Sequence, residues 1–451
     1  MLLRRFAPIT LALVWITLPT PKTLGAESGP GRIVEVAYPG SDKPGELIFP
    51  VTYRVWIPDG VPRLRGLIVH QHGCGKGAGD GGKTAADDLH WQALARKWDC
   101  ALLGPSIRQE DGQNCRLWCD PRNGSRARFL QALDDLAEKS SHPELKTVPW
   151  CLWGHSGGAF WSSLMMISDP QRVVAVWLRS GTGFTAWEKG EIPRPEISDS
   201  VYRIPVMCNP GRKEETDKRF QAAWTGATGM FKAYRSQGAP IGLAPDPRTA
   251  HECGDSRYLA IPFFDACLAA RLPDKGSSTS ELKSIDISKG WLATPLSESA
   301  SAPGDYHGDH ASAVWLPDER VARAWEEYVK TGAVGDSTPP PLPTRVIAAG
   351  KGATSVELTW NAEADFESGL RGFLIRRNGK EIAQLPESPI GKFGRPLFQG
   401  MSYHDTPEAP LPALRFLDQA APEGVLPRYE VIAVNGIGLP SQPAVSANAG
   451  R

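Results

Sequence analysis

Five residues near the middle of the chain, Gly154-His155-Ser156-Gly157-Gly158, limit what the surrounding sequence can fold into. An apolar run, Trp150-Cys151-Leu152-Trp153, leads into them, and a helix-compatible stretch over 159–167 leads out. The order is strand, sharp turn, helix, with a serine at the apex. Such a turn holds its apical residue in a strained backbone conformation, which lifts the side chain clear of the sheet. Small residues two positions either side are needed because strand and helix come close there. Both positions are glycine, and Gly157 offers an unhindered backbone N–H beside the Ser156 hydroxyl.

The elements around this turn repeat its alternation. Strands are expected over 33–38, 51–57, 67–70, 99–103, 173–178, 206–209 and 240–244. Helices are expected over 85–98, 126–139 and 263–271, the second with Phe129, Leu130, Leu133 and Leu136 on one side. Most of the strands are continuous apolar runs. Strands of that kind, alternating with helices, belong to a mostly parallel, doubly wound α/β sheet covered on both faces. The segment 283–308 is less regular and reads equally as a subdomain, a cap or a surface excursion. A further helix is expected over 317–328, with Pro317 near its first turn.

At 451 residues the chain is too long for one ordinary domain. The stretch 336–343 contains four prolines and reads as a stiff linker. Beyond it the apolar period changes to two, over 356–360, 372–376 and 429–434, and Arg377-Asn378-Gly379-Lys380 signals a hairpin. This part resembles a fibronectin type III sandwich. Trp360 matches that family's buried strand-B tryptophan and Tyr429 its strand-F tyrosine, and the likeness covers most of 338–449. The proline-rich stretch 387–423 departs from it, with strands that the pattern does not place. The expected organisation is therefore an α/β domain over 27–335, a linker over 336–343 that few contacts cross, and an all-β domain over 344–451.

Arg4 and Arg5, the apolar stretch 6–18 and Leu24-Gly25-Ala26 read as an export leader cleaved near Ala26, with an uncleaved anchor as the alternative. No later segment is apolar enough to span a bilayer, so the expected location is secreted or periplasmic. Lys plus Arg equals Asp plus Glu at 50 each, which gives no sign of a nucleic-acid partner. Eight cysteines fit an oxidising compartment. Cys100, Cys151 and Cys208 lie in strand-like runs and read as buried thiols. Bridges Cys115–Cys119 and Cys74–Cys253 are open to the others.

A serine becomes a nucleophile when a base takes its proton and an acid orients that base. The acid belongs in the loop after the strand 205–209, where Glu214 is the choice and Glu215 and Asp217 are competitors. The base belongs after the last core strand. There His251 precedes a helix, with His307 and His310 as rivals. His155 reads as a residue that packs or lines the site. An oxyanion needs two backbone donors. Gly157 supplies one, and the loop His72-Gly73-Cys74-Gly75 supplies the other, best from Cys74 and next from Gly75.

The Ser156 turn, the His72-Gly73-Cys74 loop and His251, in this order, resemble the α/β-hydrolase superfamily over roughly residues 33–272. The His-Gly-Cys loop is similar to that of secreted polyhydroxybutyrate depolymerase, feruloyl esterase and acetylxylan esterase relatives. Glutamate at the acid position departs from many members. The resemblance implies a secreted serine hydrolase that cleaves carboxylic esters through an acyl-enzyme and needs no metal or organic cofactor. A peptidase of the same fold and a non-catalytic surface-binding protein are the alternatives. The expected partner is a small or polymeric ester, with polysaccharide or cell-surface contact through the C-terminal domain. Trp91, Trp118, Phe160 and Trp161 read either as an acyl or sugar platform or as core packing.

Overall fold

The computed structural model describes residues 31–277, 281–389, 391–394 and 397–448. The leader read over 1–26 lies outside the described residues. The first strands are β1 (Gly31–Tyr38), β2 (Val51–Pro58), β3 (Gly66–Gln71) and β4 (Cys100–Ile107). They are followed by β5 (Trp150–His155), β6 (Val173–Arg179), β7 (Val206–Asn209) and β8 (Ile241–Leu243). Together they form one sheet in the order β1-β2-β4-β3-β5-β6-β7-β8. β2 runs antiparallel to both β1 and β4, and every other pair is parallel. This mostly parallel, eight-stranded sheet fits an α/β hydrolase. Every residue of β3, β4, β5 and β6 is buried, as continuous apolar runs covered on both faces require.

The helices of this domain are α1 (Lys76–Gly81), α2 (Leu89–Lys97), α3 (Arg116–Cys119), α4 (Ser125–Ser140) and α5 (Gly157–Ser168). Then come α6 (Phe184–Glu188), α7 (Gln221–Arg235), α8 (Arg257–Arg271) and α9 (Glu319–Thr331). Trp150 and Trp153 are three apart on β5, so they face opposite sides of the sheet. Trp153 meets Trp91 of α2, which meets Phe264 of α8. Trp150 meets Phe129 of α4, which meets Trp161 of α5. Two aromatic layers thus clamp the central strand. α9 starts after an Asp318 cap, whose carboxylate accepts from the Val321 N–H at 2.8 Å.

The irregular region after residue 283 holds β9 (Trp291–Ala293) and β10 (Ala300–Ser301), joined by β11 (Val314–Leu316) in a small antiparallel sheet. It lies beside β8 and α9 at the edge of the domain.

The C-terminal part comprises β12 (Thr344–Gly350), β13 (Val356–Asn361), β14 (Leu370–Arg377) and β15 (Lys380–Leu385), then β16 (Arg415–Asp418), β17 (Tyr429–Asn435), β18 (Ala444–Val445) and β19 (Ala447–Asn448). They form two four-stranded sheets, β16-β13-β12-β19 and β15-β14-β17-β18. Trp360, Phe373 and Tyr429 are buried in their shared core. Asn378 and Gly379 both have positive φ, at 52° and 81°, as the hairpin signal requires.

One expectation is corrected. The proline-rich linker does not mark a boundary that few contacts cross. Part of the stretch between β15 and β16, including Gln399 and residues 403–407, lies on the α/β domain. Gln399 accepts from the Leu89 N–H at 3.0 Å and donates to the Asp87 carbonyl at 2.8 Å. Arg257, only 2 % exposed on its side chain, is bonded to Asp88 at 2.7 Å and to Asp405 at 2.8 Å. The physical reason is local charge: a guanidinium buried at the start of α8 must be paired, and half of its pairing comes from the C-terminal part.

Candidate active site

The strand order reverses at β3: the chain passes outward to β4 and then returns to the other side for β5. Loops leaving the C-terminal ends of strands diverge at such a point and open a crevice. The two loops here are His72-Gly73-Cys74 after β3 and Ser156 after β5. Ser156 adopts φ 54° and ψ −115°, a strained conformation for a non-glycine residue. It is held by its own N–H on the Arg179 carbonyl and by its carbonyl on the Phe160 N–H, both at 2.9 Å. A Cβ on Gly158 would collide with the Gln71 and His72 carbonyl oxygens, and one on Gly154 with the Gly158 backbone. Glycine is therefore required on both sides of the turn.

Ser156, His251 and Glu214 come together. His251 Nε2 lies 2.9 Å from Ser156 Oγ, and His251 Nδ1 lies 2.5 Å from Glu214 Oε1. The other Glu214 oxygen accepts the Gly211 N–H at 3.0 Å, so this buried carboxylate is held at both ends. With Nδ1–H donating to Glu214, the Nε2 lone pair faces the serine. The competitors are turned elsewhere. Glu215 pairs with Arg212 at 3.4 Å, and Asp217 accepts from the Arg219 and Phe220 N–H groups ahead of α7. His307 and His310 are exposed, and His310 stands against Tyr306.

The two amides expected at an oxyanion site are neighbours. Gly157 opens α5, and a Cβ built on it would stand 3.4 Å from the Cys74 nitrogen. Among the described residues neither N–H has a protein acceptor. The positive end of the α5 dipole adds to the attraction for negative charge at this point. His72 pins the loop: its Nδ1–H donates to the Gly73 carbonyl at 2.6 Å, and its Nε2 accepts the Ile107 N–H at 3.0 Å. Burial pushes the His72 pKa down to about 4, which keeps this bridge neutral.

The cysteine pairings are corrected. Cys74 is bonded to Cys115, with Cα atoms 5.7 Å apart. Cys119 and Cys253 are buried free thiols, as are Cys100, Cys151 and Cys208. Cys115 caps α3 and Cys119 ends it one turn later, and the fold carries Cys115 to the loop after β3 instead. The bridge tethers the Cys74 amide to the opposite wall of a cleft of about 310 Å³. Phe160, Thr182, Thr185 and Phe220 also line that cleft. Of the four aromatic residues considered for a platform, only Phe160 reaches it. Trp91, Trp118 and Trp161 are buried in the hydrophobic core.

Two supporting residues carry no motif. Phe220 stacks flat on the His251 ring, with centroids 3.9 Å apart and planes 7° from parallel. Arg179, buried at the end of β6, donates to the Asn209 carbonyl at 3.0 Å, Thr249 Oγ1 at 2.8 Å and the Ala250 carbonyl at 3.3 Å. It also donates to the Glu252 carbonyl, so one guanidinium holds the backbone on both sides of His251. The available signal was an arginine closing an otherwise apolar strand, Val173–Arg179. His155 is buried beside Ser156 and donates from Nε2 to the His251 carbonyl at 2.6 Å.

No family model matches the chain, and no curated protein matches it. Solved structures do. A thermostable esterase is 14% identical, with 47% of this chain and 54% of that chain covered and a TM-score of 0.34. An S-formylglutathione hydrolase from Agrobacterium tumefaciens is 15% identical, with 53% and 94% covered and a TM-score of 0.35. A feruloyl esterase module from Clostridium thermocellum is 14% identical, with 52% and 87% covered and a TM-score of 0.32. The chain thus spans about half the length of the thermostable esterase. At TM-scores this low the matches carry no inference about chemistry.

Proposed function

We propose that the protein is a serine hydrolase that cleaves carboxylic esters through an acyl-enzyme. The observation that carries this reading is the continuous hydrogen-bonded chain from Glu214 through His251 to Ser156, beside two adjacent free amides. Ser156 Oγ attacks the ester carbonyl while His251 Nε2 takes its proton. Glu214 keeps the imidazole in the required tautomer and stabilises its cation. The Gly157 and Cys74 N–H groups receive the carbonyl oxygen as it becomes negative. His251 returns the proton to the departing alcohol oxygen. Water, activated by the same histidine, then releases the acid and restores the serine. The cleft beside Phe160 and Phe220 is the proposed acyl site.

Export after a leader over 1–26 belongs to the same proposal. No helix among the described residues is long and apolar enough to cross a membrane. A fibronectin type III-like domain beyond residue 344 is proposed from its two sheets and its buried Trp360 and Tyr429.

The experiment is a panel of p-nitrophenyl acyl esters and peptide anilides with wild type and Ser156→Ala, together with fluorophosphonate labelling. Ester turnover and labelling are expected in the wild type, and both should be lost in a folded Ser156→Ala variant. Near-wild-type turnover in that variant would overturn the reading. A clear preference for the anilides would move it to a peptidase.

A further inference from the structure

We propose that His404, carried by the C-terminal part of the chain, is a positioning residue of this site: it holds His155 in the one tautomer that can fix the His251 backbone. The inference rests on the serine-hydrolase reading above and adds a residue that lies 248 positions after the nucleophile.

The tautomers follow from the partners. His155 Nε2 faces the carbonyl of His251 at 2.6 Å, and a carbonyl only accepts. Nε2 must therefore carry a hydrogen, which leaves Nδ1 of a neutral His155 as an acceptor. His404 Nδ1 stands 2.7 Å from that atom, so it is His404 that donates. In the other tautomer the His155 Nε2 lone pair would point at the His251 carbonyl oxygen, and both would repel. Neither ring is available for protonation as an alternative. Burial, with neighbouring histidines second, drives the His155 pKa well below its ordinary value and that of His404 to about 3.

The His251 carbonyl is a sensitive place to act. The Cα of that residue sets where the imidazole hangs, and Nδ1 and Nε2 must reach Glu214 and Ser156 at once. His404 also touches the other half of the site. A Cβ on Gly73 would stand 2.8 Å from His404 Nδ1 and 2.9 Å from its Cε1, so the ring lies directly on the loop that presents the Cys74 amide.

The segment that delivers His404 is built to be rigid. Ser402 Oγ accepts from the His404 N–H at 3.1 Å and shares a hydrogen bond with Thr406 Oγ1 at 2.9 Å. The Ser402 N–H donates to the Thr406 carbonyl at 2.8 Å. Asp405 then anchors the turn on Arg257 at 2.8 Å, and the Tyr403 carbonyl accepts the Cys253 N–H at 3.3 Å, two residues after His251. A domain that served only as a spacer would not need this buried, stapled insertion.

The test uses the full-length chain. His404→Phe keeps the ring volume and removes the donor, whereas His404→Asn places an amide N–H where Nδ1 stood. For a p-nitrophenyl ester, His404→Phe should lower kcat about ten- to a hundredfold, the scale of a small misplacement of a catalytic group. KM should move by less than about threefold, since the substrate is not contacted. His404→Asn should recover kcat to within about fivefold of wild type. Wild-type kcat in His404→Phe, or an Asn variant as slow as the Phe variant at equal thermal stability, would overturn the inference. Long-range proton–nitrogen-15 correlations on wild-type protein give an answer that needs no variant. They should show His155 protonated on Nε2 and His404 on Nδ1, and a His155 proton on Nδ1 would overturn it. Activity surviving Ser156→Ala would instead refute the reading of the site itself, so the two failures are distinguishable.

Discussion

Replacing Glu214 by glutamine exchanges one buried oxygen for an amide nitrogen and leaves the volume unchanged. Glu214 now accepts twice, from His251 Nδ1 at 2.5 Å and from the Gly211 N–H at 3.0 Å. Glutamine can accept at only one of those places. If its oxygen stays on Gly211, its NH2 faces His251 and demands a bare Nδ1. The imidazole proton then sits on Nε2, against Ser156, and the base can no longer take the serine proton. If the oxygen turns to His251 instead, the NH2 meets the Gly211 N–H, and two buried donors face each other. That arrangement costs about 1–3 kcal/mol and also lacks the charge that stabilises the imidazolium. Either way the transition state is hit harder than the fold. The equivalent tautomer error in serine proteases costs about 10⁴ in kcat, or about 5.4 kcal/mol. For Glu214→Gln a loss of about 10³–10⁴ in kcat on p-nitrophenyl butyrate is expected, with the thermal midpoint little changed. Glu215→Gln, which disturbs only a surface pair with Arg212, should behave as wild type. A Glu214→Gln enzyme within tenfold of wild type would refute the assignment, and a reversed ranking of the two variants would move the acid to Glu215.

Two further outcomes can be measured. Cys115→Ser opens a loop spanning 41 residues, whose closure is worth about 4 kcal/mol on the chain-entropy scale; denaturant midpoints should fall accordingly, and kcat should fall because the Cys74 amide is no longer tethered, while an unchanged midpoint and unchanged kcat would refute the role of the bridge. Burial lowers His72 and His90 to about 4 and His404 to about 3, so their neutral forms contribute stability that is complete above about pH 6.5 and is lost as the pH falls toward the folded values. Three such groups set a slope of about 4 kcal/mol per pH unit between roughly pH 6 and 4.5; urea midpoints that fail to drop between pH 7 and pH 5 would refute it.

The sequence made local features readable. The turn at Ser156 is decided within about fifteen residues, because a buried strand, three glycines and an apolar helix leave the serine only one place to go. Glu214 and His251 follow instead from strand order, each lying in the loop after a core strand. Strand order does not depend on where each element ends. The helix expected over 263–271 begins at Arg257, with Pro262 inside it. The expected strand over 99–103 extends to Ile107, and its extra residues Gly104, Pro105 and Ser106 are weak strand formers held in place by pairing with β2. What sequence reasoning missed depends on contacts between distant segments. Phe220 belongs to the loop after Glu214, where a single aromatic carries no period. The Cys74–Cys115 pairing follows from where α3 lands.

The contacts that join the C-terminal part to the α/β domain are made concrete by Arg257. Composition marks 336–343 as a proline-rich stretch, but such a stretch reports only on the covalent path, not on what the chain touches sixty residues later. The informative signal is the opposite kind of feature: an arginine at the head of the mostly apolar helix α8, Arg257–Arg271, and an Asp-bearing turn in a stretch without strand pattern. A buried guanidinium left with one carboxylate in place of two loses charge-assisted hydrogen bonds worth about 1.5–3 kcal/mol each. In this chain those carboxylates are Asp88, from the head of α2, and Asp405, from the C-terminal part. Removing everything past residue 343 would therefore strand half of that charge pairing, uncover Gly73 and take the donor from His155 Nδ1. The group that secures the two parts of the chain together sits one residue from the group that reaches the site. One turn, residues 402–406, thus contributes to docking through Asp405 and to site geometry through His404.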